Sequence, residues 1–245
     1  MSAYSKAYYE DLKEDSTISA KEVVPLILQL FPAKTVVDVG CGSGTWARTY
    51  QDLGCEILGI DGDIVRSEQL LIRPETFTRR NLMEPLQIDR RFDLVHCLEV
   101  AEHLDESRAE SFVADLCRLG DAVVFSAAIP GQGGTHHVNE QFQSYWVAAF
   151  RRNGFRPIDC LRHQIWNNGK VAWWYVQNLL VFVRETRIHA YPTAVAADRP
   201  WPEDLVHPRA YVAATVPSLM SPRMLKEILC ALPYFPSKIV RHLRR

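Results

Sequence analysis

Short apolar runs separated by stretches of helical periodicity set the pattern of this chain. Thr35 to Val39, Glu56 to Ile60, Phe92 to Cys97 and Ala122 to Ala127 are nearly continuous apolar segments of strand length, as expected of strands covered on both faces. Ala20 to Phe31 instead repeats its apolar residues at Val23, Val24, Ile27, Leu28 and Leu30 and stops at Pro32, which predicts a helix. Further helices are predicted from Gly44 to Leu53, from Ser107 to Leu119, and from Asn139 to Asn153, the last closed by Gly154. A weaker strand falls at about Thr76 to Arg80, and the last two at about Arg156 to Ile165 and Gln177 to Val183. Strands alternating with helices predict an α/β, doubly wound, seven-stranded sheet. Its last two strands are too close for a crossover helix, so the sheet is expected to be mostly parallel with the last strand antiparallel.

Chemistry concentrates where the first strand ends. Asp38 interrupts the apolar run, and Gly40-x-Gly42-x-Gly44 follows at once. Glycines there permit a tight turn and a close backbone approach to a ligand. A dinucleotide loop would space its third glycine one residue later, and a carboxylate beside it would repel a pyrophosphate. The acid suits a cationic ligand such as S-adenosylmethionine, which carries sulfonium and ammonium charges. The second strand ends in another acid, Asp61, and the fourth runs through Phe92-Asp93-Leu94-Val95 into Leu98-Glu99-Val100-Ala101-Glu102-His103-Leu104.

These three segments, in this order, resemble the class I S-adenosylmethionine-dependent methyltransferases. The resemblance implies a Rossmann-like fold and a methyl donor whose spent form is S-adenosylhomocysteine. It implies Asp38, Gly40, Gly42 and Gly44 around the methionine moiety, and Asp61 with Gly62 on the ribose. Asn81 and Leu82 would lie beside adenine, and Leu98 and Glu99 would face the cofactor. His103 would face the acceptor. Asn81 stands where many such enzymes carry an acid, so adenine would meet an amide oxygen without charge.

A second informative region, Ile129 to Gln141 (IPGQGGTHHVNEQ), follows the fifth strand and so lies at the carboxyl edge of the sheet, where open α/β folds bind ligands. Methyl transfer to a hydroxyl needs the nucleophile placed and its proton removed, and an imidazole with an ordinary pKa near 6.5 suits the base role. His136 and His137 are the candidates. The stretch resembles a subgroup of bacterial glycan and natural-product methyltransferases, which favours His137. Asn139 is read as a substrate contact or a cap of the following helix, and Glu140 as a substrate contact or a first-turn acid. No metal is expected, because two adjacent histidines rarely point at one ion. Further on, Asn168-Gly169 reads as a turn that supplies positive φ. Around it one or two of the flanking tryptophans, Trp166, Trp173 and Trp174, are candidate faces of an acceptor pocket, with Asn167 and Asn168 bonding hydroxyls, against the commoner fate of aromatics as packing.

Composition narrows the field without naming the acceptor. The chain has 245 residues, 47% of them hydrophobic, and a formal net charge of -1, enough for a substantial core and without a field that favours nucleic acid. Six cysteines form no CxxC pair, as expected of buried thiols in a reducing compartment. The polar, tyrosine-rich start reads as no leader, and no apolar run reaches the roughly 18 residues of a membrane span. A cytoplasmic protein is therefore expected. Residues 1–33 read as a flap (Tyr4, Tyr8, Tyr9, Glu10) and helix, 34–187 as the core, and 188–245 as a proline-rich extension with a basic amphipathic tail from Met224. That tail is expected on its own domain or on a homodimer mate, with peripheral membrane contact as the alternative. The function expected is methylation of a hydroxyl on a sugar, sugar nucleotide or related small molecule. Rival readings are a protein or RNA methyltransferase, an NAD-dependent dehydrogenase and a non-catalytic scaffold.

Overall fold

The computed structural model describes residues 6–62, 65, 67–199 and 202–215. Tyr4, the tail from Met224 and Cys230 lie outside the described residues, as do the side chains of Tyr8, Tyr9 and Glu10. Helix α1 (Lys6–Leu30) leads into β1 (Thr35–Val39), α2 (Thr45–Asp52) and β2 (Glu56–Asp61). Then come β3 (Phe77–Arg79), β4 (Leu94–Leu98), α3 (Glu106–Leu119), β5 (Ala122–Ser126) and α4 (Gln143–Arg152). The remainder is β6 (Phe155–Ile158), α5 (Arg162–Ile165), α6 (Trp173–Asn178), β7 (Leu180–Arg184), α7 (Pro192–Ala196) and α8 (Pro208–Thr215). The seven strands form one sheet in the order β3-β2-β1-β4-β5-β7-β6. The first five are parallel, and β7 runs antiparallel to both β5 and β6, which is the expected fold class.

Both faces of the sheet are covered, and this is why its strands read as unbroken apolar runs. Val36 and Val124 face a core built with Val23, Val24 and Ile27 of α1 and Trp46 and Tyr50 of α2. Val37, Val39, Val123 and Phe125 face the opposite core with Phe112 and Leu116 of α3 and Trp146 and Phe150 of α4. The alternation along each strand is apolar on both sides.

Three expectations are corrected. Helix α1 begins at Lys6, well before Ala20, and Pro25 lies inside it; its first half is polar, so periodicity did not register it. Helix α4 starts at Gln143 and not at Asn139. Asp204, distant in sequence, accepts the Ser144 N–H at 2.7 Å and supplies the cap expected of Asn139.

The third correction concerns the segment between β6 and β7. Arg156 to Ile165 is not one strand, since β6 ends at Ile158 and α5 follows. Likewise the strand read as Gln177 to Val183 starts only at Leu180, since Gln177 and Asn178 close α6. Ile165, Ala172, Tyr175, Val176 and Leu179 are buried in the core under α1, at helical rather than alternate spacing. Neither Asn168 nor Gly169 has a positive φ; the Asn168 amide donates to Glu22 of α1 at 2.9 Å instead.

The chain divides into two compact units, 1–207 and 208–245, a later boundary than the change in composition at residue 188. Within the first unit the fully buried Arg162 donates to the carbonyl oxygens of Pro202 and Glu203 at 3.1 and 3.0 Å, tying that stretch to the core. Among the described residues no helix is long and apolar enough to cross a membrane. Cys41, Cys55, Cys97, Cys117 and Cys160 are free and buried.

Candidate active site

A cavity of about 820 Å³ opens at the carboxyl edge of β1, β2 and β4, within the usual size of small-molecule sites. Gly40, Asp61 and Leu82 line one part of it, Glu99, Glu102, His103 and His137 another, and Trp173, Trp174 and Tyr175 a third.

The first part is made by backbone. After β1 the chain turns through Gly40, Gly42 and Gly44, all at positive φ. A Cβ on Gly40 would fall 2.2 Å from Val100 Cγ2, so a side chain is excluded by conformation and by space. Asp61 accepts the Gly42 N–H at 2.6 Å on one carboxylate oxygen and the Gly62 N–H at 2.6 Å on the other. Burial raises its pKa; these two N–H bonds offset part of the rise and the charge of Asp38 adds to it. Leu82 reaches the wall because Arg108 of α3, itself buried, donates to the Leu82 carbonyl oxygen at 3.0 Å and the Glu84 carbonyl oxygen at 2.9 Å.

Other residues expected around the cofactor lie off the cavity wall. Asp38 is buried beneath the loop, 3.0 Å from His96 Nδ1 of the neighbouring strand, with Trp46 and Tyr50 packed on the His96 ring. Gly42 and Gly44 shape the turn without lining the space, and Leu98 belongs to the core. Asn81 is exposed, and its Oδ1 accepts the Met83 N–H at 3.1 Å, so that oxygen holds a turn.

The second part is made by side chains from separate segments. Glu99 follows β4 at a φ of 54°, a conformation rare outside glycine and common at functional sites. It accepts hydrogen bonds from Gln132 Nε2 at 2.8 Å and Asn178 Nδ2 at 3.2 Å. Its pKa is raised by burial, against the pull of these bonds and of Ser126. Glu102 is fully buried and neither carboxylate oxygen has a hydrogen-bond partner. Burial holds its pKa well above the carboxylate range, the charges of Glu99 and Glu140 add to the rise, and the nearby backbone of Glu102 and Ala128 offsets part of it. His103 has its pKa lowered by burial and by the charges of His137 and His136.

Glu140 organises the glycine-rich loop. It accepts the N–H groups of Gly131 at 2.8 Å and Gly133 at 3.0 Å, and meets His137 Nδ1 at 2.9 Å. A carboxylate on Nδ1 fixes the tautomer that leaves Nε2 bare. His136 is exposed at a φ of 61°, and its carbonyl oxygen lies 3.3 Å from His103 Nδ1. The His103 and His137 rings meet edge to face, 4.8 Å between centroids. His136 and His137 both line the cavity, and His137 converges with Glu102 and His103, whose ligand atoms all lie within 4.8 Å of one another. Asn139 is buried behind this wall, its N–H donating to the Glu102 carbonyl oxygen at 3.0 Å.

Trp166 and Asn167 do not reach the cavity. The Trp166 ring packs against His207 at 4.7 Å, and Asn167 is exposed. Trp173 and Trp174, further along, line it instead. Residue types alone do not reveal Ser16, Gln132, Thr135 and Tyr175. Only the periodicity of Ala172, Val176 and Leu179, on the buried face of α6, hints that Trp173 and Trp174 turn the other way.

Comparison with known proteins agrees with this architecture. Residues 15–169 match a family model described as a methyltransferase domain, and the chain belongs to that family. It is 35% identical over 101 residues to a ubiquinone biosynthesis O-methyltransferase from Alkalilimnicola ehrlichii, covering 38% of this chain and 41% of that protein. The match thus spans about two fifths of that relative. The fold is shared with the magnesium protoporphyrin IX methyltransferase of Synechocystis PCC 6803, crystallised with S-adenosylhomocysteine (TM-score 0.54, 20% identity, 76% of this chain and 90% of that one). It is shared also with CalS10, an amino pentose methyltransferase from Micromonospora echinaspora bound to S-adenosylmethionine (TM-score 0.53, 15% identity, 75% and 99%).

Proposed function

We propose that the protein transfers a methyl group from S-adenosylmethionine to a hydroxyl of a polar small molecule, a sugar, sugar nucleotide or natural-product intermediate. The observation that carries the reading is one cavity lined by Gly40, Asp61 and His137, with Glu140 on the Nδ1 of that histidine. The donor supplies an electrophilic methyl on a sulfonium. Asp61, with Gly62 beside it, offers its carboxylate edge to the ribose hydroxyls, and Gly40 allows the methionine moiety against bare backbone. Leu82 gives the adenine an apolar wall. On the acceptor side His137, oriented by Glu140, assists removal of the hydroxyl proton, and His103 flanks it. Trp173 and Trp174 offer flat faces to a ring. The O-methyltransferase name of the relative from Alkalilimnicola ehrlichii and the amino pentose substrate in the name of CalS10 support an oxygen acceptor and a small polar one.

Calorimetry with S-adenosylhomocysteine tests the donor half: one site per chain is expected, and no binding by the full chain would end the reading. Methyl-labelled donor incubated with panels of sugar nucleotides, phenols, protein and RNA tests the acceptor half. Label is expected on a hydroxylated small molecule, and label on protein or RNA alone would replace the proposal. With that acceptor, His137→Ala is expected to lower kcat about 100-fold or more while donor-product affinity stays within about twofold.

A further inference from the structure

We infer that Glu102, His103 and His137 form a site for one divalent transition-metal cation, of the Mn2+ or Zn2+ class, on the acceptor side of the cavity. The inference deepens the proposed function and rests on its reading of the reaction as methyl transfer to oxygen.

Four observations carry it. The ligand atoms of the three residues lie within 4.8 Å of one another, a span that modest side-chain rotation closes around bonds of about 2.0–2.2 Å. Both oxygens of the fully buried Glu102 lack a partner. A buried carboxylate without hydrogen bonds is costly, and this one lines the cavity. Each histidine has its Nδ1 occupied, His103 by the His136 carbonyl oxygen at 3.3 Å and His137 by Glu140 at 2.9 Å. That outer contact, to a carboxylate or carbonyl, is how metal-binding histidines are oriented, and it leaves Nε2 for the ion. Finally, Glu99 lines the same part of the cavity and Glu140 meets His137 at 2.9 Å, so further carboxylates stand around the site and favour a cation.

The donor set selects the class of ion. Two imidazoles and one carboxylate suit first-row transition cations over Ca2+ or Mg2+, which prefer oxygen shells. Three protein ligands also leave a coordination position open. An acceptor hydroxyl bound there is acidified, as water is on zinc. The O–CH3 bond then forms as the methyl–sulfur bond breaks, sulfur keeps the electron pair as a neutral thioether, and the hydroxyl proton passes to water. His137 assists in this arrangement as a ligand, with Glu140 as its positioning residue.

The experiment is titration of the metal-stripped full chain with Mn2+, read by loss of the free-ion electron paramagnetic resonance signal, followed by displacement with Zn2+. S-adenosylhomocysteine calorimetry is run on the same sample. One Mn2+ per chain is expected, weakened at least about tenfold in Glu102→Gln and His103→Ala. Glu140→Gln, which leaves all three ligands in place, is expected to weaken binding about tenfold through loss of orientation. Asn168→Ala, off the cavity, should bind as the native chain does. Should His103→Ala unfold by circular dichroism, His103→Gln carries the same comparison. Donor product bound with no uptake of either metal overturns the cation site and leaves the methyltransferase reading standing. Mn2+ affinity equal in Glu102→Gln and native protein overturns it as well. Metal bound with these dependences but no donor product bound keeps the site and removes the methyl-transfer role.

Discussion

The two ends of the cavity are built on different principles. At the β1–β2 edge the ligand surface is set by backbone: Gly40 lines it, on a turn of three glycines at positive φ, and one carboxylate gathers the N–H groups of Gly42 and Gly62. Beyond β4 and β5 it is side chain: Glu99, Glu102, His103 and His137, from separate segments, with Glu99 held by Gln132 and Asn178 and His137 by Glu140 behind it. A backbone surface tolerates almost no substitution and suits a ligand common to many proteins. A side-chain surface is changed one residue at a time, which suits an acceptor that differs from protein to protein.

The sharpest test of this contrast is Gly40→Ala. Its Cβ would meet Val100 at 2.2 Å with φ at 77°, and strain and overpacking together should remove about 3 kcal/mol of stability. Denaturant unfolding measures this, and a loss under about 1 kcal/mol would show that the loop is not the rigid surface described. Asp61→Asn keeps the shape and loses the charge, so S-adenosylhomocysteine affinity should fall about 10- to 100-fold. Unchanged affinity in calorimetry would mean that the ribose is held elsewhere.

Side-chain changes at the other end should be smaller and separable. Trp174→Ala is expected to raise acceptor KM about tenfold with donor-product affinity intact, whereas Trp166→Ala, whose ring packs on His207, should leave KM alone. The reverse result would move the acceptor wall to the β6–α6 connection. The smallest effect concerns Glu102 in the presence of chelator. Its raised pKa means that the folded chain holds a proton the unfolded chain releases, so stability falls as pH rises above the ordinary carboxylate range near pH 4. Glu102→Gln removes that dependence and should melt about 2–4 °C higher than the native protein at pH 7, the equivalent of about 1 kcal/mol. The two should coincide near pH 3, and a gap that persists there would argue against the buried charge as its source.

The same division decides what could be read from the sequence. The glycine loop, Asp61 and the strand order are local in sequence, since each needs only neighbours a few residues away or a regular alternation. The acceptor side needs contacts between distant segments. His137 stood out as a residue type, yet its partners Glu102 and His103 sit more than thirty positions earlier, where they read as part of the cofactor strand's ending. Trp166 and Trp174 are alike as residue types; only the burial of α6 under α1 sends one to a flank and the other to the cavity. The β6–β7 connection misled for a related reason. Asn168-Gly169 carries the composition of a tight hairpin, but helical spacing of Ala172, Val176 and Leu179 overrode it.

The hidden pair of Asp38 and His96 bears on how the sheet finds its alignment. The two residues are direct register partners on β1 and β4, strands whose other positions are mostly valines and leucines that would accept a shift. Displacement of one strand by one residue would turn its ionisable group to the opposite face, away from its partner and against the aliphatic layer over α3. The acid in the first strand thereby works as a fastening between strands, and a chain carrying valine at both positions should fold with a looser choice of neighbour.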